Sequence, residues 1–228
     1  MPHERTAVRE TQPLQPSIAS PGISMTANNS SAQAELFADA SLPRGLVYRP
    51  AFVAHDEESA LLDVVAALPF REARFQQYTA RRRVVGFGAS PYTVSGDGLV
   101  QEALPPELRQ LRRKVAAWRG LDESQFAHAL VTEYRTGTPI GWHRDQPAYG
   151  IVVGISLGSP CRMRFRPIGA HDERRRVSVL ELEPRSAYAM DGDIRWCWQH
   201  SIAPTAGLRY SITFRTLRDP SEDAMPGR

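Results

Sequence analysis

Residues 200–217 read HSIAPTAGLRYSITFRTL, and from Arg209 the residues alternate as a β-strand with two unlike faces does. Arg209, Ser211, Thr213 and Arg215 share one face; Tyr210, Ile212 and Phe214 share the other. The apolar face belongs against a second layer. Two arginines on the opposite face are costly inside a fold unless an anion meets them, the other reading being an edge strand with its polar face in water. Upstream lie more segments of this kind: HALVTEYRTG, YGIVVGISLG, CRMRFRPIG, RRVSVLELE and RSAYAM. All are short, β-branched or alternating, and bounded by Gly, Pro or Asp. Before them come two helical patterns. Asp56 is the expected N-cap of EESALLDVVAALPF, which sets Leu61, Val64, Val65 and Leu68 on one face and stops at Pro69. The second runs from Pro106 to Trp118, with proline in its first turn. Helices followed by a run of strands predict an α+β protein built on a β-sandwich or barrel.

The 228 residues allow one domain with tails. Residues 1–43, rich in Ser, Pro, Ala, Asn and Gln, are expected to be a disordered tail, residues 44–219 the folded domain, and 220–228 a flexible end. Within the domain, LVYRPAFV and TARRRVVGFG read as strands, the latter leading into a loop around GASPYTVSGDG. No apolar run is long enough to span a membrane. The two cysteines, Cys161 and Cys197, form no CxxC pair, which argues against a disulfide framework or zinc ribbon and fits a reducing cytoplasm. Between Arg44 and Asp219 there are 25 basic and 19 acidic residues, a balance of +6, and Lys114 is the only lysine. Composition bias and a phosphate-binding surface both account for that arginine excess. A monomer is expected.

The candidate chemistry lies in His143-Arg144-Asp145 and the distant His200. Residues i and i+2 on a strand point the same way, so His143 and Asp145 can reach one metal, and the strands that follow can return His200 beside them. Two imidazoles and one carboxylate on one face leave open coordination positions, the donor set of non-haem Fe(II) centres. An HxD alone is weak evidence among six histidines. His128, in an apolar strand, reads as a packed core histidine.

HSIAPTAGLRYSITFR with HRD upstream resembles the AlkB-like family of 2-oxoglutarate/Fe(II) dioxygenases. VTEYRTGTPIGWHRD, PRSAYAMDGDIRWCWQHSI and RRRVVGFG resemble other parts of that family, and the likeness covers roughly residues 44–218. The resemblance implies a double-stranded β-helix, or jelly roll, with N-terminal helices packed on one side. It implies catalytic iron on His143, Asp145 and His200, with 2-oxoglutarate and O2 as cosubstrates. It implies Arg209 and Tyr134 on the distal carboxylate of 2-oxoglutarate, and Arg215 near the other carboxylate and Asp145. Thr132 stands where family members often carry Asn, so its contact rests on a hydroxyl. The Arg209-x-Ser211 spacing also resembles oxygenases of small metabolites; Arg215 and the TFR ending favour the AlkB-like pattern.

The implied reaction is oxidative dealkylation of alkylated bases in DNA or RNA, releasing formaldehyde, succinate and CO2. The alternatives are an oxygenase of a protein side chain or small metabolite, and an inactive jelly-roll binding module. A base must leave its stack to reach a buried metal. Phe87, Tyr92, Trp142 and Tyr78 are the candidate stacking residues, and Arg81, Arg82 and Arg83 the candidate phosphate contacts. Alternation sends Arg81 and Arg83 one way and Arg82 the other. A solvated edge strand is the plainer reading of these three.

Overall fold

The alternating segments pair into two sheets. The computed structural model describes residues 42–75, 78–88, 100–101, 103–169 and 177–218, with backbone alone for 73–75, 78–80 and 100–101. The larger sheet contains β1 (Leu46–Arg49), β2 (Arg71–Phe75), β3 (Tyr78–Gly88), β4 (Val100–Gln101), β5 (Phe126–Tyr134), β7 (Tyr149–Gly158), β10 (Ser186–Met190) and β12 (Arg209–Leu217). The smaller contains β6 (Ile140–His143), β8 (Cys161–Pro167), β9 (Ser178–Leu182) and β11 (Trp198–Ile202). Their orders are β1-β10-β7-β12-β5-β3-β2, with β4 on β3, and β6-β11-β8-β9. All pairings are antiparallel except β3 with β4. Two facing sheets of this topology, with helices on one side, are a jelly roll.

β12 lies between β5 and β7, so it is no edge strand. Its alternation then decides both layers. Tyr210, Ile212 and Phe214 join Val85, Val131 and Ile155 against helices α1 (His55–Ala66) and α2 (Pro106–Arg119). The helices supply Leu61, Val65, Leu108, Leu111 and Val115 to that core. Each such side chain, fully buried, stabilises the fold by roughly 1.5–3 kcal/mol. On the other side of the larger sheet a second core joins the two sheets, from Val152, Met163, Phe165, Leu182, Met190 and Ile202.

Some local expectations change. The N-cap of α1 is Ala54, whose N–H donates to Glu57 Oε2 at 3.4 Å; Asp56 lies inside the first turn, where its charge complements the helix dipole. β3 sits between β2 and β5, and Arg83 pairs with both, opposite Glu72 and Glu133. The domain includes Leu42, packed against the inter-sheet core, and Pro43, whose carbonyl accepts from Leu46 N–H at 3.0 Å. The two expected tails otherwise lie outside the described residues, as does most of the GASPYTVSGDG loop. Among the described residues no helix is long and apolar enough to cross a membrane.

Candidate active site

A cavity of about 490 Å³ opens between the sheets, and His143, Asp145 and His200 line it. His143 ends β6 directly opposite His200 on β11, their ring centroids 4.3 Å apart. Asp145 is off the strand that was expected to carry it. β6 stops at His143, and Asp145 sits in the loop beyond, its Oδ2 3.9 Å from His200 Nε2. The ligating atoms of the three residues all lie within 4.8 Å of one another. Their protonation suits a metal. Burial works against the Asp145 charge, but His200, Arg215, Arg195 and His143 together outweigh it and hold the carboxyl at about 2. Burial pushes His200 down to about 4, so its lone pair is free at neutral pH. His143 Nδ1 lies 2.9 Å from the Gly141 carbonyl, a partner that can orient the ring.

The opposite wall belongs to the larger sheet. Arg209 is 1% exposed, the most enclosed of the cavity's cations. Its Nε donates to Ser156 Oγ at 3.0 Å and its guanidinium lies 4.8 Å over the Tyr134 ring. Nη1 is buried with no hydrogen-bond partner among the described residues. Farther along β12, Arg215 carries a second such orphan, Nε, with its guanidinium 5.2 Å over the Tyr149 ring. Two buried cationic donors without partners in one cavity fit a dianion. Thr132 shares this inner face of β5 with Tyr134. Gly154 makes room for Tyr188, since a Cβ there would stand 2.3 Å from the ring.

Arg195 is a residue the sequence reading missed. It lies in α3 (Asp193–Trp196), is 2% exposed, and donates to the carbonyls of Tyr149, Gly150 and Gln146 at 2.6, 2.8 and 3.3 Å. Its Nη1 stands 4.0 Å from Asp145 Oδ2. One guanidinium thus holds the loop that carries Asp145. A four-residue helix has no hydrophobic period to betray it.

The residues expected to meet substrate are only partly gathered here. Arg82, Val84 and Gly86 face the cavity, so their neighbours face away. Phe87 is 3% exposed in the helix-side core and cannot stack on a base. Arg83 is on that same far side, held by Glu133 through Nε–Oε1 and Nη2–Oε2 contacts of 2.8 and 2.6 Å. Arg81, on the same face as Arg83 by alternation, is exposed. Trp142 lines the cavity, with the Arg164 and Arg166 guanidiniums 5.2 and 4.5 Å from its ring centroid. Tyr92 and the side chain of Tyr78 lie outside the described residues.

A jelly roll with two imidazoles and a carboxylate converging opposite two arginines, each with one orphaned nitrogen, defines a class, the non-haem iron oxygenases that use a 2-oxo acid. Comparison with known proteins agrees. The model of the 2OG-Fe(II) oxygenase superfamily matches residues 45–215, and the chain belongs to that family. Within it the chain is AlkB-like. It is 28% identical over 169 residues to the Danio rerio protein named Probable RNA/DNA demethylase ALKBH6, covering 70% of each chain. It is 26% identical over 182 residues to Uncharacterized protein L905 of Acanthamoeba polyphaga mimivirus, covering 73% of this chain and 81% of that one. In fold it is similar to the structure of OsALKBH1, with a TM-score of 0.59 at 16% identity, over 77% of this chain and 99% of the other. The cofactors of the family are Fe(II), 2-oxoglutarate and O2.

Proposed function

We propose that this dioxygenase removes N-linked alkyl groups from bases in DNA or RNA. The observation that carries the reading is the cavity itself. It holds the candidate metal-binding triad and two arginines that each have one orphaned nitrogen, and Arg82 and the exposed Arg144 line it as well, as a phosphate-bearing substrate requires. The AlkB-like kinship supports the same substrate class.

His143, Asp145 and His200 would hold the iron, and Arg195 fixes the loop that carries Asp145. Arg209, through its free Nη1, and Tyr134 would hold one carboxylate of 2-oxoglutarate, and Arg215 and the Thr132 hydroxyl would offer further hydrogen bonds to it. Iron(II) with 2-oxoglutarate and O2 supplies the oxidant that hydroxylates a substrate C–H bond, leaving succinate and CO2. On an N-methyl group the hydroxylated carbon then leaves as formaldehyde. In balance, one N-methylated base, one O2 and one 2-oxoglutarate become the base with N–H restored, formaldehyde, succinate and CO2.

The experiment is succinate and formaldehyde release with N-methylated single- and double-stranded DNA and RNA, against methylated peptides and small metabolites. Stimulation by a methylated oligonucleotide, weakening as salt rises, is the expected result. Stimulation by a peptide or metabolite alone would replace this reading with an oxygenase of that substrate.

A further inference from the structure

The groups assigned to iron and 2-oxoglutarate leave His128, a polar side chain of the cavity lining, unused. His128 lies on the inner face of β5, in step with Leu130, Thr132 and Tyr134, and is 7% exposed. Its Nδ1 is buried with no hydrogen-bond partner among the described residues. The ring stacks on Tyr149, centroids 5.5 Å apart and planes inclined by 28°, and that same tyrosine carries Arg215. Diagonally across, on β3, stands Gly86, which pairs with Leu130. A Cβ there would meet His128 Nε2 at 3.4 Å and Leu130 Cδ1 at 4.0 Å, so a side chain at this position would cover the imidazole. Glycine leaves it bare toward the cavity.

A buried imidazole without a partner departs from the rule that buried polar atoms are hydrogen-bonded. Burial, with Arg215 beside it, pushes His128 down to about 4, which makes the ring neutral at pH 7, with one donor and one acceptor nitrogen. No group bonded to Nδ1 fixes the tautomer, so Nε2 can donate to a carbonyl or accept from an amine.

We infer that His128 is a specificity-determining residue: a planar base lies in the gap above Gly86 and exchanges a hydrogen bond, at its polar edge, with His128 Nε2. This rests on the reading of the substrate as an alkylated base. Tyr149 and Leu130 supply apolar surface around the same gap, and the glycine backbone supplies its floor.

The test uses the full chain, loaded with Mn(II) and 2-oxoglutarate for binding and with Fe(II) for turnover. The probe is a single-stranded oligonucleotide carrying one N-methylated cytosine. His128→Phe keeps the ring but no hydrogen bond. It should weaken oligonucleotide binding and lower kcat/KM by about 10–100-fold. Uncoupled succinate formation and 2-oxoglutarate affinity should stay unchanged. His128→Gln should recover most of the loss. Gly86→Val, which fills the gap, should reproduce the defect with the imidazole intact. Unchanged oligonucleotide binding and kcat/KM in His128→Phe would overturn the inference. So would an equal loss of 2-oxoglutarate affinity, which would make His128 a prop for Arg215 through Tyr149. Should His128→Phe fail to fold, normal substrate kinetics in both other variants would overturn it. If the wild-type chain neither binds nor demethylates the probe or other methylated bases, the proposed substrate falls and this inference with it. A wild-type chain that works while the variants match it removes the inference alone.

Discussion

Replacing Arg209 by methionine should leave the fold standing and remove the cosubstrate. The guanidinium is 1% exposed, donates from Nε to Ser156 Oγ at 3.0 Å, and has Nη1 orphaned. A buried charged donor without a partner costs about 1–3 kcal/mol or more, and the charged bond to Ser156 contributes about 1.5–3 kcal/mol. Methionine of similar length loses both, so the two terms offset. Stability of the ligand-free protein in urea should move by no more than about 1–2 kcal/mol, in either direction. Binding has no such compensation. Loss of a buried carboxylate partner costs about 2–5 kcal/mol, or roughly 30- to 4,000-fold in affinity. Titration of 2-oxoglutarate into the Mn(II)-loaded protein measures it. Arg209→Lys should recover only part, because an ammonium lacks the fork that matches a carboxylate. A variant that loses several kcal/mol of stability yet binds 2-oxoglutarate normally would refute the reasoning, since the arginine would then be serving the fold.

Alanine at His143, Asp145 or His200 should abolish Mn(II) binding and turnover while the melting curve stays close to that of the metal-free wild type; retained metal binding in all three would sink the assignment. Arg195→Met strips a buried cation from three carbonyls and from the neighbourhood of Asp145, so it should destabilise by about 3–5 kcal/mol. It should also speed amide exchange in residues 144–150, and unaltered exchange there would show that the loop holds itself. For pH, His128 and His200 both have native values near 4 against 6.5 when unfolded. The unfolded chain therefore binds more protons between these values. Stability of the metal-free protein is full above pH 6.5 and falls as the pH drops toward 4, by on the order of 1–3 kcal/mol per histidine. Urea midpoints across that range check it, with His128→Phe showing a smaller fall; a flat profile would count against the burial of both rings.

Much of the fold was legible because strands with one apolar face announce their register. Tyr210, Ile212 and Phe214 were separable from Arg209 and Arg215 by parity alone, and β12 obeys it. β3 shows where that logic stops. Parity separated Arg82 from Arg81 and Arg83, but not which of them looks inward. Both faces of RRRVVGFG are covered, one by helices and one by the cavity, and Val84 and Val85 serve the two sides equally well. The choice of Phe87 and Arg83 for the substrate was the wrong side of that coin. Asp145 lies off the strand because β6 ends at His143, a fact of hydrogen bonding between strands that spacing does not carry. Arg195 acts on backbone carbonyls far away in sequence, so nothing adjacent to it marks the role.

His143 and His200 come from the smaller sheet, and Asp145 from the loop leaving it, while Arg209 and Arg215 project from the larger. The second core, of apolar side chains, joins these two layers where the ligands do not. An occupant gripped from both sides is therefore a cross-brace between the layers. Its binding energy would become rigidity of the whole sandwich, and a chain short of iron or 2-oxoglutarate would also be a looser one. By mass action, filling the site to a hundred times its dissociation constant raises resistance to unfolding by about 2.7 kcal/mol. The supply of cofactor and cosubstrate would then set how long the molecule survives proteases, as well as how fast it turns over.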